Sequence, residues 1–79
     1  MDEKQLLKKI EENPQIMLGK PVVRGTRLPV QIVLEKLAAG SSQEDITRDY
    51  PFLTHDDIRA CVLYAAKRLA LEHDEIIES

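Results

Sequence analysis

Between Gly19 and Val30 the chain reads Gly-Lys-Pro-Val-Val-Arg-Gly-Thr-Arg-Leu-Pro-Val, and this stretch does most to restrict the possible folds. A Val-Val pair favours extended backbone, Gly25 supplies a turn, and Pro29 suits the first turn of a helix, where its missing N–H costs nothing. The element is therefore rigid and non-helical, and it hands the chain to a helix at Pro29. It also concentrates Lys20, Arg24 and Arg27. The whole chain has a formal charge of −3, so cations clustered here need a reason.

Two explanations stand open. Arg24 and Arg27 can each make bidentate contacts to phosphate, carboxylate or guanine, with Thr26 adding a hydroxyl and Gly25 allowing close backbone approach. A β-ribbon fits a DNA major groove, and a dimer would present two such elements. Lys20, Arg24, Thr26 and Arg27 are thus the candidate nucleic-acid-binding residues. Alternatively, the arginines pair with acidic helices of the same or a neighbouring subunit, as surface ions commonly do.

The flanking sequence reads as helices and one β element. Leu6, Leu7 and Ile10 share a helical face, which predicts an N-terminal helix over 1–12, ended by Asn13-Pro14. Ile16-Met17-Leu18 and Val22-Val23 read as short strands, giving a β-hairpin within 15–28. After Pro29, the residues Val30, Val33, Leu34, Leu37 and Ala38 follow the i, i+3, i+4, i+7 spacing of a buried stripe, and Gly40 is a natural C-cap. Ser41 with Glu44 has capping-box spacing for a short helix running to about Asp49. Tyr50-Pro51-Phe52-Leu53 is a turn. Thr54 with Asp57 starts a last helix whose stripe is Ile58, Cys61, Val62, Ala65, Ala66 and Leu69. The expected organisation is one domain over 1–79: helix 1–12, β element 15–28, a three-helix unit over 29–71 and an acidic tail over 72–79.

The last two helices have the proportions of a helix–turn–helix, but His55, Asp56 and Asp57 would lead into the groove, and two of these are anions facing phosphate. That charge argues for the Arg-Gly-Thr-Arg element as the DNA contact instead. The charge distribution agrees: residues 1–30 carry +2 (six cations, four anions) and residues 31–79 carry −5 (five cations, ten anions). Aromatic content of 4% leaves little material for stacking single-stranded bases.

Catalysis finds no support. His55 and His73 are far apart, each among acids, with no i, i+4 histidine pair for a metal. Cys61 sits on an apolar stripe, as small core residues do. No catalytic, metal or cofactor-binding residue is expected. One cysteine allows no intrachain disulfide and fits a reducing cytoplasm, and no apolar run approaches a membrane span. A 79-residue domain buries only about 60% of its unfolded surface, which favours a homodimer or a partner.

One family shares this pattern. Pro14, the whole of Gly19–Val30, Leu34 to Ala39, Gly40-Ser41, Ile46, Tyr50-Pro51, Leu53-Thr54, Asp57-Ile58 and Tyr64-Ala65-Ala66 resemble the domain-of-unknown-function 433 family over about residues 13–68. The resemblance implies a small bacterial or archaeal protein with a homeodomain-like three-helix fold. It also implies a gene neighbour resembling a PIN-type nuclease toxin, which would make this chain the antitoxin. The functional expectation is an antitoxin that neutralises such a nuclease and binds operator DNA as a dimer. The competing expectation is a protein-interaction or structural module without DNA binding.

Overall fold

The computed structural model describes residues 1–72. The fold is mainly α, with an N-terminal helix and a small antiparallel two-stranded sheet. In chain order the elements are α1 (Glu3–Leu7), β1 (Ile10–Glu12), a 3-10 turn (Met17–Gly19), β2 (Pro21–Val23), α2 (Val30–Ala38), α3 (Gln43–Asp49) and α4 (His55–Glu72). The acidic tail expected over 72–79 lies, beyond Glu72, outside the described residues.

The N-terminal helix is shorter than its apolar spacing predicts. Asp2 caps α1 by accepting from the Gln5 amide, and the helix ends at Leu7 rather than at 12. Ile10 to Glu12 instead form β1, paired antiparallel with β2 in the register Ile10↔Val23, Glu11↔Val22, Glu12↔Pro21. The strands pair because Val22 and Val23 are both buried and need a partner for their backbone groups. Ile10 supplies that partner while staying buried itself.

The expected strand at Ile16-Met17-Leu18 is not a strand. Asn13 accepts the Gln15 amide on its side chain and the Ile16 amide on its carbonyl, which turns the chain into the 3-10 segment. The β element therefore begins at residue 10, and its first strand lies upstream of the expected 15–28 span.

The helices from α2 onward start and stop on local signals. Pro29 caps α2 in extended backbone at φ −66°. At its C-terminus Gly40, at φ +98°, donates to Leu37 O (3.0 Å) while Ser41 donates to Lys36 O (3.0 Å), the two bonds of a Schellman ending. Ser41 is consumed there, so the box opening α3 forms one residue later than expected: Asp45 N donates to Ser42 Oγ (3.0 Å) and Ser42 N to Asp45 Oδ2 (3.0 Å). Thr54 and Asp57 form the expected reciprocal pair at the start of α4, at 2.9 and 3.1 Å.

The core joins Leu6, Ile10, Val23, Val30, Val33, Ile46, Leu53, Ile58, Ala60 and Cys61. The expected stripe of α4 is core only at its start. Ile58 and Cys61 are fully buried, but Val62, Ala66 and Leu69 are exposed, and Leu63 and Tyr64 pack against the core in their place. Ala38, expected on the inner stripe of α2, is exposed as well.

Candidate nucleic-acid interface

The Arg-Gly-Thr-Arg element is a tight turn braced on both sides. Thr26 N donates to Val23 O at 3.0 Å, and Gly25 takes φ +82° at the third position, the geometry of a type II turn. A side chain at Gly25 would meet nothing within 4 Å, so the turn needs glycine for its φ alone. Val23 N donates to Leu28 O at 3.0 Å and Val22 bridges to Pro29, which closes the base of the loop. On the other side Arg24 N donates to Lys9 O at 2.7 Å, tying the turn to the chain just before β1.

Each candidate residue has a distinct position. Arg24 is exposed, and its Nε donates to Lys8 O at 2.6 Å, which ties the guanidinium to the chain just before β1. Arg27 is exposed on the far limb of the same turn. Thr26 is half-buried and already committed: its hydroxyl donates to Val23 O (2.7 Å) and accepts from Leu28 N (3.0 Å). Its one proton is therefore spent inside the turn, and it positions the arginines rather than donating outward. Lys20 is exposed at the opposite end of β2 from Arg24, about 13 Å away along the strand.

Among the described residues the acidic helices make no ion pair with these cations. The ion pairs among the described residues are Lys9–Asp57, Lys36–Asp49, Arg48–Asp45, Arg59–Asp56, Lys67–Glu3 and Arg68–Glu12. None includes Lys20, Arg24 or Arg27. Asp45, Asp49, Asp56 and Asp57 are each engaged elsewhere. Among the described residues, then, these cations have no ion-pair partner in their own chain, which leaves a neighbouring subunit's acids or an external anion.

Sequence reasoning missed two neighbours of the turn. Lys8, which falls within the expected helix over 1–12, presents its carbonyl to Arg24 and itself appears in no ion pair among the described residues. Phe52, in the turn between α3 and α4, is 57% exposed and lines an open cavity of about 570 Å³ with Glu11, Ile16, Gly25, Thr26 and Arg27. The only sequence signal for Phe52 is an aromatic residue in a turn, outside any apolar stripe.

The start of α4 is occupied by structural work. Asp57 caps the helix and reaches Lys9 at 3.5 Å, and Asp56 holds Arg59 at 3.1 Å. Cys61 is fully buried, and burial, with a smaller push from Asp57, raises its thiol from 9.0 to about 12. Among the described residues no group of three or more His, Cys, Asp or Glu side chains could hold a metal ion, and no helix is long and apolar enough to cross a membrane.

Comparison with known proteins fixes the family. Residues 10–65 match the family described as protein of unknown function, DUF433. The chain belongs to the DUF433 family. The matched span begins at β1 and ends at Ala65 within α4, so it contains the whole cationic turn, α2, α3 and the first eleven residues of α4. An uncharacterized protein of Sinorhizobium fredii (strain NBRC 101917 / NGR234), y4eO, is 43% identical over 56 residues, covering 71% of this chain. The aligned part makes up 25% of that relative, so this chain corresponds to about a quarter of its length. A DUF433 member protein from Anabaena variabilis ATCC 29413, solved by crystallography, superposes with a TM-score of 0.75 at 25% identity, over 91% of this chain and 71% of that one.

Proposed function

We propose that this DUF433 chain is a DNA-binding antitoxin that acts as a dimer, contacts double-stranded operator DNA through the Arg24–Arg27 turn, and neutralises a PIN-like nuclease. The observation that supports the DNA contact is the set of exposed cations, Lys20, Arg24 and Arg27, that take part in no ion pair among the described residues, while Asp45, Asp49, Asp56 and Asp57 are each paired elsewhere. Rigidity supports the same reading, since a turn braced through Val23, Thr26 and Leu28 holds its cations ready for phosphate oxygens. Dimerisation follows from size: a two-stranded sheet on a small domain gains stability from a second copy. The nuclease partner rests on the family resemblance. The cytoplasm, where Cys61 stays reduced, is the setting this reading requires.

The test is fluorescence anisotropy on the duplex upstream of the gene, as a function of salt. The variant carrying Arg24→Ala and Arg27→Ala is expected to bind weakly, with the slope of log K against log salt reduced by about 2. Equal affinity and slope in parent and variant would remove the turn as the DNA contact.

A second reading, a protein-interaction module without DNA binding, is favoured by the exposed Val62, Leu69 and Leu71 on α4. Co-purification with the product of the neighbouring gene, in the absence of any duplex binding, would select it.

A further inference from the structure

The 3-10 turn before β2 is the strained part of the molecule, and its strain is not used to bury anything. Three successive residues have positive φ: Met17 at +51°, Leu18 at +58° and Gly19 at +84°. Only glycine takes that region freely, and side-chain-bearing residues stay there only where their surroundings hold them. The bracing is visible: Ile16 N donates to Asn13 O (2.8 Å), Gly19 N to Ile16 O (3.0 Å) and Lys20 N to Met17 O (3.1 Å). What this brace presents is Leu18, 96% exposed, with Met17 partly exposed beside it. A leucine wholly in water adds nothing to the core, so the turn that joins β1 to β2 gains nothing from a leucine at this φ.

Its neighbours indicate the partner. Lys20 lies two residues beyond the tip, exposed and in no ion pair among the described residues. Ile16, two residues before it, lines the same cavity as Arg27, with Glu11 as the one acid in that lining. An apolar tip beside an unpaired cation is the equipment of proteins that open a DNA minor groove: cations hold phosphates while an apolar side chain wedges between base steps. An apolar pocket on a protein would instead have to desolvate those cations. We propose that Leu18 is an intercalating wedge that enters the minor groove of double-stranded DNA and kinks it, with Lys20 and Arg27 on the flanking phosphates. The proposal rests on the DNA binding argued above and adds which residue unstacks the duplex.

The test uses the full chain and the upstream duplex labelled at both ends for energy transfer. The parent is expected to bring the ends together, with a kink in the range of roughly 20–90°. Leu18→Gly, which accepts φ +58° without strain, is expected to fold with an unchanged or higher melting temperature. It should bind roughly tenfold more weakly, without bending and with the parent's salt slope. Leu18→Phe, which keeps an apolar wedge, is expected to restore the bend. A parent complex that is tight but unbent overturns the wedge, and so does a Leu18→Gly variant that bends DNA as the parent does. Loss of the protein partner by Leu18→Gly, with duplex binding intact, overturns it in favour of a protein pocket. A parent that binds no duplex even at low salt defeats the DNA-binding reading itself, an outcome distinct from binding without bending.

Discussion

At the residue scale, the turn from Val23 to Thr26 shows how little chemistry sets a surface element. Gly25 is there for φ +82° and nothing else, so Gly25→Ala should cost about 1–2 kcal/mol in urea unfolding through backbone strain, with no clash. Thr26 closes the turn with two bonds, and Thr26→Val, which keeps the shape and loses both, should cost about 1–3 kcal/mol, with Thr26→Ser recovering most of it. Cys61 gives a pH signature. Its thiol ionises near 9.0 when unfolded and near 12 when folded, so the folded state holds the proton longer. Stability is therefore unaffected by Cys61 below pH 9.0 and falls as pH rises from 9.0 toward 12. Cys61→Ala should remove that alkaline component from a urea-melt series, and the native thiol should resist alkylation at neutral pH until the chain unfolds.

At the element scale, the helices from α2 to α4 are specified by their ends. Both Ser42→Ala and Thr54→Ala remove a side-chain acceptor from a capping box and should each cost about 1 kcal/mol by thermal or urea unfolding. Asp45 adds an acid-sensitive component: the Ser42 backbone N–H first, then Arg48 and the Ser42 hydroxyl, hold its carboxyl below 3.8. The stability this gives α3 is complete above pH 3.8 and is lost as pH falls through the lower folded value, so Asp45→Asn should flatten the acid limb of the stability profile. Asp57 does two jobs, capping α4 and reaching Lys9 beside β1, which couples the sheet to the longest helix. Asp57→Ala should therefore destabilise more than Thr54→Ala does, by loss of both contacts.

At the scale of the whole molecule, charge and apolar surface are segregated. Among the described residues Lys20, Arg24 and Arg27, in no ion pair, flank β2, the aspartates of α3 and α4 are paired, and α4 presents Val62 and Leu69 to solvent. Since Leu69 packs on little, Leu69→Glu should change the stability of the isolated protein by less than about 0.5 kcal/mol, whatever it does to assembly. The sequence by itself determined α2, α3 and α4 and the turn at Gly25, because Pro29, Gly40, the Thr54–Asp57 pair and glycine's conformational freedom act over a few residues. It also placed Arg24 and Arg27 on one rigid element. The tertiary structure alone decided that Ile10–Glu12 is a strand, since a helical face and a pairing edge look alike until Val23 stands opposite Ile10. It decided that Thr26 is used internally and that Phe52 lies beside Arg27, because those contacts join segments distant along the chain. It decided, too, that Leu18, Val62 and Leu69 face water: the spacing of apolar residues marks a helix face or a strand, but only packing shows where the body that would cover it ends.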